Sequence, residues 1–367
     1  MTRSKKEAII ILAPGFPKDY GDTACLPERQ VFVRMLQQQS PGVHVIVVAF
    51  QYPFAGNYYE WFGCTVYPLR GRNRGGIARV LTWLRAWRLL LRLHKNYHIL
   101  GMMSFWLGEC ALVGAWFARL FRIRHYAWLL GQDARPGNRY VPLMQPAAAS
   151  LIALSDFVSD EFHRNYRVRP AHVIAPGIDP AMFDTITSNA RPIHIMAAGS
   201  LIPLKQYEIF LRVIRGIHGE HPELKVVLCG GGPEDARLCA LARRYGLAGV
   251  ITFTGEVPHQ TVLRFMQQSR IFLHTSSYEG FGIVHAEALY AGAQVVSFIP
   301  PPGRTVRRWH AVTTESEMIG TAMQLLQQDA APESILFRHM SETVQQSLDL
   351  LLAPRAAISN TVQTLPS

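Results

Sequence analysis

The residues with most to offer chemically form one run, Ser276-Ser277-Tyr278-Glu279-Gly280-Phe281-Gly282-Ile283-Val284-His285-Ala286-Glu287. It follows an apolar, strand-like segment at 270–274. Its glycines bring backbone N–H groups toward the start of a helix, a combination that binds anions. Glu279 falls in the loop, and Glu287 lies about two turns into the helix. Carboxylates accept paired hydrogen bonds from vicinal hydroxyls, so Glu279 suits a sugar ring and Glu287 a ribose. Taken alone, the two also fit a helix cap and a charge on a solvated face.

These residues need elements to hold them. At 367 residues and 49% apolar, the chain suits two α/β domains of ordinary size. Apolar runs at 8–13, 44–50, 98–103, 125–130, 151–154 and 172–175 each fit a strand buried on both faces. After a polar stretch at 184–191 the series restarts, at 192–198, 224–229, 250–254, 270–274 and 294–299. Helical patterns separate these runs, which predicts two parallel sheets. The expected division is 1–185, 192–340, and a C-terminal segment 341–367 packing back on the first domain. Ligands of such sheets lie beyond the carboxyl ends of the strands, where the run around Glu279 falls.

Lys and Arg number 37 against 26 Asp and Glu, a net charge of +11 that attracts phosphates, nucleic acid or anionic lipid. No recognised nucleic-acid module accompanies that charge, and no nucleic-acid partner is expected. Cys25, Cys64, Cys110, Cys229 and Cys239 contain no C-x-x-C pair, which argues for a reducing, cytoplasmic setting. The apolar run at 8–13 is too short for a signal peptide. The apolar stretch 105–121 carries Glu109 and Arg119 and reads as a core helix. No Asp-x-Asp occurs, and His94-x-x-x-His98 lacks a nearby carboxylate, so no catalytic metal is expected. From Ile77 to Lys95 the chain reads as a basic amphipathic helix. Ile77, Leu81, Leu84, Trp87 and Leu91 lie on one face, and Arg85, Arg88, Arg92 and Lys95 on another. Two accounts remain open: the apolar face buried on the first sheet, or the surface laid on anionic membrane at its inner face.

Further strings complete the picture: Ser155-Asp156-Phe157-Val158; Ile174-Ala175-Pro176-Gly177-Ile178-Asp179 through Phe183; Ala198-Gly199-Ser200-Leu201-Ile202-Pro203-Leu204-Lys205; Leu228-Cys229-Gly230-Gly231-Gly232-Pro233-Glu234; and Phe253-Thr254-Gly255-Glu256-Val257-Pro258. In this order, and with the Glu279–Glu287 pair, they resemble glycosyltransferase family 4 over about the whole chain. The resemblance implies a GT-B fold, two Rossmann-like parallel-sheet domains facing an interdomain cleft. It implies a retaining, metal-independent transfer of sugar from a nucleotide-diphosphate donor, with no cofactor beyond that co-substrate. The acceptor would be a glycan or a lipid-linked molecule, in cell-surface polysaccharide or glycoconjugate synthesis.

Residue by residue, the resemblance carries Glu279 and Lys205 over as catalytic. It carries Ser200, Gly255, Glu256, Val257, Gly280, Phe281, Gly282, Ile283 and Glu287 over as donor-binding. The sequence departs from the family in three places. Ser200 stands where an arginine is usual, which removes a bidentate phosphate partner. The first-domain loop has Gly21 in place of a Gly-Gly pair, and Gly21 is equally an ordinary turn residue. Asp133 stands near the position of a common histidine, with helix capping as its other reading. Two alternatives follow: a nucleotide-sugar epimerase or hydrolase of related fold, or a catalytically degenerate nucleotide-sugar-binding subunit.

Overall fold

The computed structural model describes residues 5–185, 190–303, 305–328 and 331–353. Its first strand, β1 (Lys6–Gly15), shows why the apolar runs are continuous. Ile9, Ile11 and Ala13 face one helical layer, while Ala8, Ile10 and Leu12 face the other. With helices on both faces, neither side of the strand tolerates a polar residue. The remaining first-domain strands are β2 (His44–Tyr52), β3 (Tyr59–Trp61), β4 (Cys64–Pro68), β5 (Tyr97–Phe105), β6 (His125–Leu129), β7 (Leu151–Ala153) and β8 (His172–Val173). They lie in the order β3-β4-β2-β1-β5-β6-β7-β8, parallel apart from the β3–β4 hairpin. That hairpin, absent from the sequence reading, turns through Phe62 and Gly63, both with positive φ.

The second domain holds β9 (Ile193–Ala198), β10 (Val226–Cys229), β11 (Ile251–Gly255), β12 (Ser269–His274), β13 (Gln294–Ser297) and β14 (Trp309–Ala311). Their order is β11-β10-β9-β12-β13-β14 and every pairing is parallel. Two doubly wound sheets therefore stand as expected, with the β3–β4 hairpin and the short edge strand β14 added. The polar boundary at 184–191 falls partly on 186–189, which lie outside the described residues, as do 354–367 of the C-terminal segment.

Six helices that bear on the site are α1 (Pro27–Gln39), α2 (Gly76–Asn96), α3 (Glu109–Phe121), α4 (Gly131–Ala134), α5 (Tyr140–Met144) and α6 (Asp156–Tyr166). The second half supplies α7 (Tyr207–His218), α8 (Asp235–Arg244), α9 (His259–Gln267), α10 (Ile283–Tyr290), α11 (Glu315–Gln327) and α12 (Met340–Leu352). The helix α3 is buried along most of its length, and none of the described helices is long and apolar enough to cross a membrane.

The reading of α2 needs correction. Its buried face is Thr82, Ala86, Leu89, Leu90 and Leu93, not the stripe through Ile77, Leu81, Leu84 and Leu91. That stripe points outward, Ile77 being 81% exposed, and shares the surface with Arg88, Arg92 and Lys95. The helix carries two apolar stripes, and the sheet takes the one whose small Ala86 and Thr82 let the backbones approach. His94 packs on Phe117 and Phe121, away from exposed His98.

The chain crosses back at its end. Ile178 pairs with His339, and α12 then inserts Met340, Val344, Leu348 and Leu351 into the first-domain core beside Val31 and Phe32. The side chain of Leu351 is fully buried. Leu351→Ala is expected to cost about 2–5 kcal/mol through lost burial and a residual cavity. Urea unfolding monitored on the first domain should report it as a lowered midpoint at unchanged slope.

Candidate functional site

The loop between β12 and α10 is built before it meets any ligand. The Thr275 hydroxyl donates to the Lys205 carbonyl at 2.9 Å, and the Ser277 N–H to the Leu204 carbonyl at 3.2 Å. These bonds staple the loop to the short turn Pro203–Lys205 after β9. At the loop's far end Gly282 has φ +75°, and a Cβ there would lie 2.2 Å from His285 Nδ1. Only glycine fits, and the turn it makes aims the first N–H groups of α10 into a cavity.

Lys205 Nζ donates to Glu279 Oε1, and the same oxygen accepts from His274 Nε2–H at 2.9 Å. Burial alone would raise the Glu279 carboxyl, but the His274 hydrogen bond and the Lys205 charge outweigh it. The group is held well below the usual carboxylate range. His274 is 3% exposed at the end of β12, and burial keeps it neutral. Its ring meets that of His285 edge to face at 4.4 Å. His285 contacts the Gly282 carbonyl at 3.2 Å and the Ser297 hydroxyl at 3.2 Å. A buried chain from Ser297 to Glu279 thus fixes the carboxylate, and the sequence reading missed both histidines. Their signal was available as a histidine closing the apolar run Ile271–Leu273 and another in the first turn of the apolar helix that carries Glu287.

The cavity holding this group has a volume near 450 Å³ and is lined by residues of both domains. From the second come Ser200, Lys205, Glu256, Val257, His259, Glu279, Gly282, Ile283 and Glu287; from the first, Ala24, Pro27 and Glu28. His259 Nε2–H donates to Glu287 Oε1 at 2.9 Å. Burial opposes protonation of His259, but the Glu287 charge overcomes it and raises the imidazole. Among the described residues that line the cavity, Lys205 is the one Lys or Arg.

Other residues singled out from sequence lie elsewhere. Gly21 sits in a turn held by Asp19, its N–H donating to Oδ1 at 2.9 Å, and does not line the cavity. Phe281 is buried against Phe337 and extends the first-domain core. Gly255 shapes the β11 turn at φ +66° and receives the Gly230 N–H on its carbonyl at 3.0 Å. Gly280 is the docking point between domains. A Cβ on it would lie 2.7 Å from the Gly131 nitrogen. Its carbonyl accepts from the Ser155 hydroxyl at 2.6 Å, and the Tyr278 hydroxyl donates to the Gly131 carbonyl at 2.8 Å.

Just beyond Gly131 a second cavity, near 710 Å³, opens in the first domain. Gln51, Tyr52, Arg79, Trp106, Glu109, Asp133, Arg135 and Asn138 are among its lining. Asp133 belongs here and not with Lys205 and Glu279. Its Oδ2 accepts the Leu130 N–H at 2.8 Å, a capping contact, and burial raises its carboxyl to about 6. Trp83 Nε1–H and the Gln51 amide both donate to Glu109 on the cavity wall. Among the described residues no group of three or more His, Cys, Asp or Glu side chains could hold a metal ion.

Two family models match in succession: "Glycosyltransferase Family 4" over residues 30–182 and "Glycosyl transferases group 1" over 180–310. A D-inositol 3-phosphate glycosyltransferase of Catenulispora acidiphila is 28% identical over 231 residues, covering 56% of this chain and 54% of the relative. The chain thus spans about half the length of the curated relatives it matches. Sucrose-phosphate synthase from Thermosynechococcus elongatus has the same fold at TM-score 0.65 and 17% identity, with 94% and 96% of the two chains covered. So does Anabaena HepE, solved with UDP-glucose, at TM-score 0.64 and 16% identity, with 94% and 95% covered.

The Glu279 geometry sets a pH dependence. A carboxyl lowered in the folded state contributes stability that is present above its ordinary value of 4.5 and lost as pH falls through the folded one. Glu279→Gln removes that contribution, leaving Lys205 without its anion. Melting curves should place the variant below the wild type at neutral pH, the gap closing as pH falls below 4.5. Parallel curves would contradict the assignment of an ionised Glu279.

Proposed function

Because this chain belongs to the GT-B glycosyltransferases of family 4, we propose that it transfers a sugar, with retention and without a metal, from a nucleotide-diphosphate donor. The observation that carries this reading is the ionised Glu279, fixed by Lys205 and His274 in a cavity that continues to Glu287. In the proposed reaction the bond from the anomeric carbon to the phosphate oxygen breaks. Positive charge builds on the ring and negative charge on the leaving diphosphate. Lys205 and the residues opening α10 line that cavity, and their N–H groups would stabilise that negative charge. Glu279 orients the sugar and steadies the positive ring. The leaving phosphate takes the acceptor's proton on the same face, so no first-domain carboxylate need become glycosylated.

The acceptor, a glycan or a lipid-linked molecule of surface polysaccharide or glycoconjugate synthesis, would enter from the first-domain cavity. Neighbouring residues of one segment line both cavities, Cys25 and Leu26 the first-domain one and Ala24 and Pro27 the other, which supports an acceptor entering from that side. The outer face of α2 supports a cytoplasmic protein lying on anionic membrane. Ile77, Leu81, Leu84 and Leu91 are exposed there among Arg88, Arg92 and Lys95, with Trp116 and Leu120 of α3 also exposed. A surface that mixes apolar side chains with cations suits the interface between headgroups and acyl chains.

Two experiments test the reading. Incubated with a panel of nucleotide sugars and cell-envelope glycolipid extract, the protein should release nucleoside diphosphate and label the extract. Lys205→Ala and Glu279→Ala should each lower that rate by roughly a hundredfold or more. Rapid epimerisation or hydrolysis of donor without acceptor would replace transfer by the corresponding activity, and undiminished labelling by both variants would sink it. Separately, flotation with vesicles should show binding to anionic but not zwitterionic bilayers. Arg88→Glu with Arg92→Glu should abolish it, about 1 kcal/mol being at stake per basic residue near the surface.

A further inference from the structure

One first-domain residue in the donor cavity has no assigned role. Glu28 lies in the first turn of α1, its side chain 18% exposed, and lines the cavity with Glu287 and His259. The same three residues also line a smaller void deeper between the domains. Oε2 of Glu28 meets Arg29 Nε at 3.1 Å, whereas Oε1 is buried with no hydrogen-bond partner. Arg29 reaches the other oxygen only, its guanidinium lying over the rings of Trp128 at 4.1 Å and Phe105 at 4.8 Å.

The other charged groups nearby do not satisfy Glu28 either. His259 on α9 turns its Nε2–H to Glu287 at 2.9 Å, and Asp179 is held by Arg34 at 3.0 Å. Glu287 on α10 carries the same charge as Glu28. Burial raises the Glu28 carboxyl, Arg29 lowers it, and Glu287 raises it again. A buried acceptor facing a second carboxylate is costly unless hydrogen-bond donors come between them. A phosphate would be repelled, while a diol supplies a hydroxyl to each side.

We propose that Glu28 is the first-domain half of the ribose site, each of Glu28 and Glu287 accepting a hydroxyl of one bound nucleotide. This inference rests on the donor-binding reading above. It makes the ribose a tie between domains: the base lies toward Val257, the diphosphate toward Lys205, and the ribose bridges α10 to α1. Glu28 is then a positioning and specificity residue that selects ribonucleotides.

The test is calorimetric titration with whichever of UDP, GDP or ADP most raises the wild-type melting temperature, and with its 2′,3′-dideoxy counterpart. With about tenfold lost per hydroxyl–carboxylate bond, the wild type should prefer the ribo form by roughly a hundredfold. Glu28→Ala should reduce that preference to about tenfold while leaving dideoxy affinity unchanged. Glu28→Gln keeps the volume and an acceptor oxygen, and should fall between them; it also keeps the proposal testable if the alanine variant does not fold. Equal weakening of ribo and dideoxy forms, or a wild type with no ribose preference, overturns the role of Glu28 alone. A wild type that binds none of the three diphosphates overturns the donor reading, and this inference with it.

Discussion

The structure depends on keeping one carboxylate ionised where two domains meet. Glu279 is mostly removed from water, which by itself would neutralise it. Three separate segments answer that constraint. The turn after β9 brings Lys205, the end of β12 brings neutral His274, and the loop after β12 is stapled to the Leu204 and Lys205 carbonyls. None is redundant: the lysine supplies opposite charge, the histidine a directed hydrogen bond, and the staple holds both in register.

The same constraint explains the close domain contact. Water is kept from the group only if the loop carrying it docks on the first domain, and the docking uses backbone approach at Gly280 and Gly131. Ser155 shows how economical this is. Its oxygen caps α6 through the Val158 N–H at 3.3 Å, and its hydroxyl proton goes to the Gly280 carbonyl across the seam. The return of α12 to the first core binds the halves a second time, at the opposite end of the connection.

Much of this was readable in advance because parallel strands buried on both faces leave long apolar runs, and loops at their carboxyl ends carry the polar residues. The strands and the loop of Glu279 and Glu287 were found that way, whereas Lys205 followed only from the resemblance of Ala198–Lys205 to family 4. The strands β3, β4 and β14 were not, because Glu60, Thr65 and His310 interrupt their apolar residues and leave no continuous run. The outward stripe of α2 was assigned to a face of its own for a related reason. Helical spacing marks apolar faces but cannot say which of two the sheet will cover.

The sequence by itself determined the fold class, the order of elements and the loop where chemistry would be found, since these follow from local pattern and spacing. Tertiary structure alone decided which side chains share a cavity. It put Glu28 and His259 in one cavity with Glu279 and Glu287, set His274 and His285 behind Glu279, left Gly21 in a turn of its own, and placed Asp133 in the neighbouring cavity. The physical reason is that hydrogen bonding and electrostatics act over a few ångströms. Glu28 and Glu287 come within that range only after both sheets have formed and packed together.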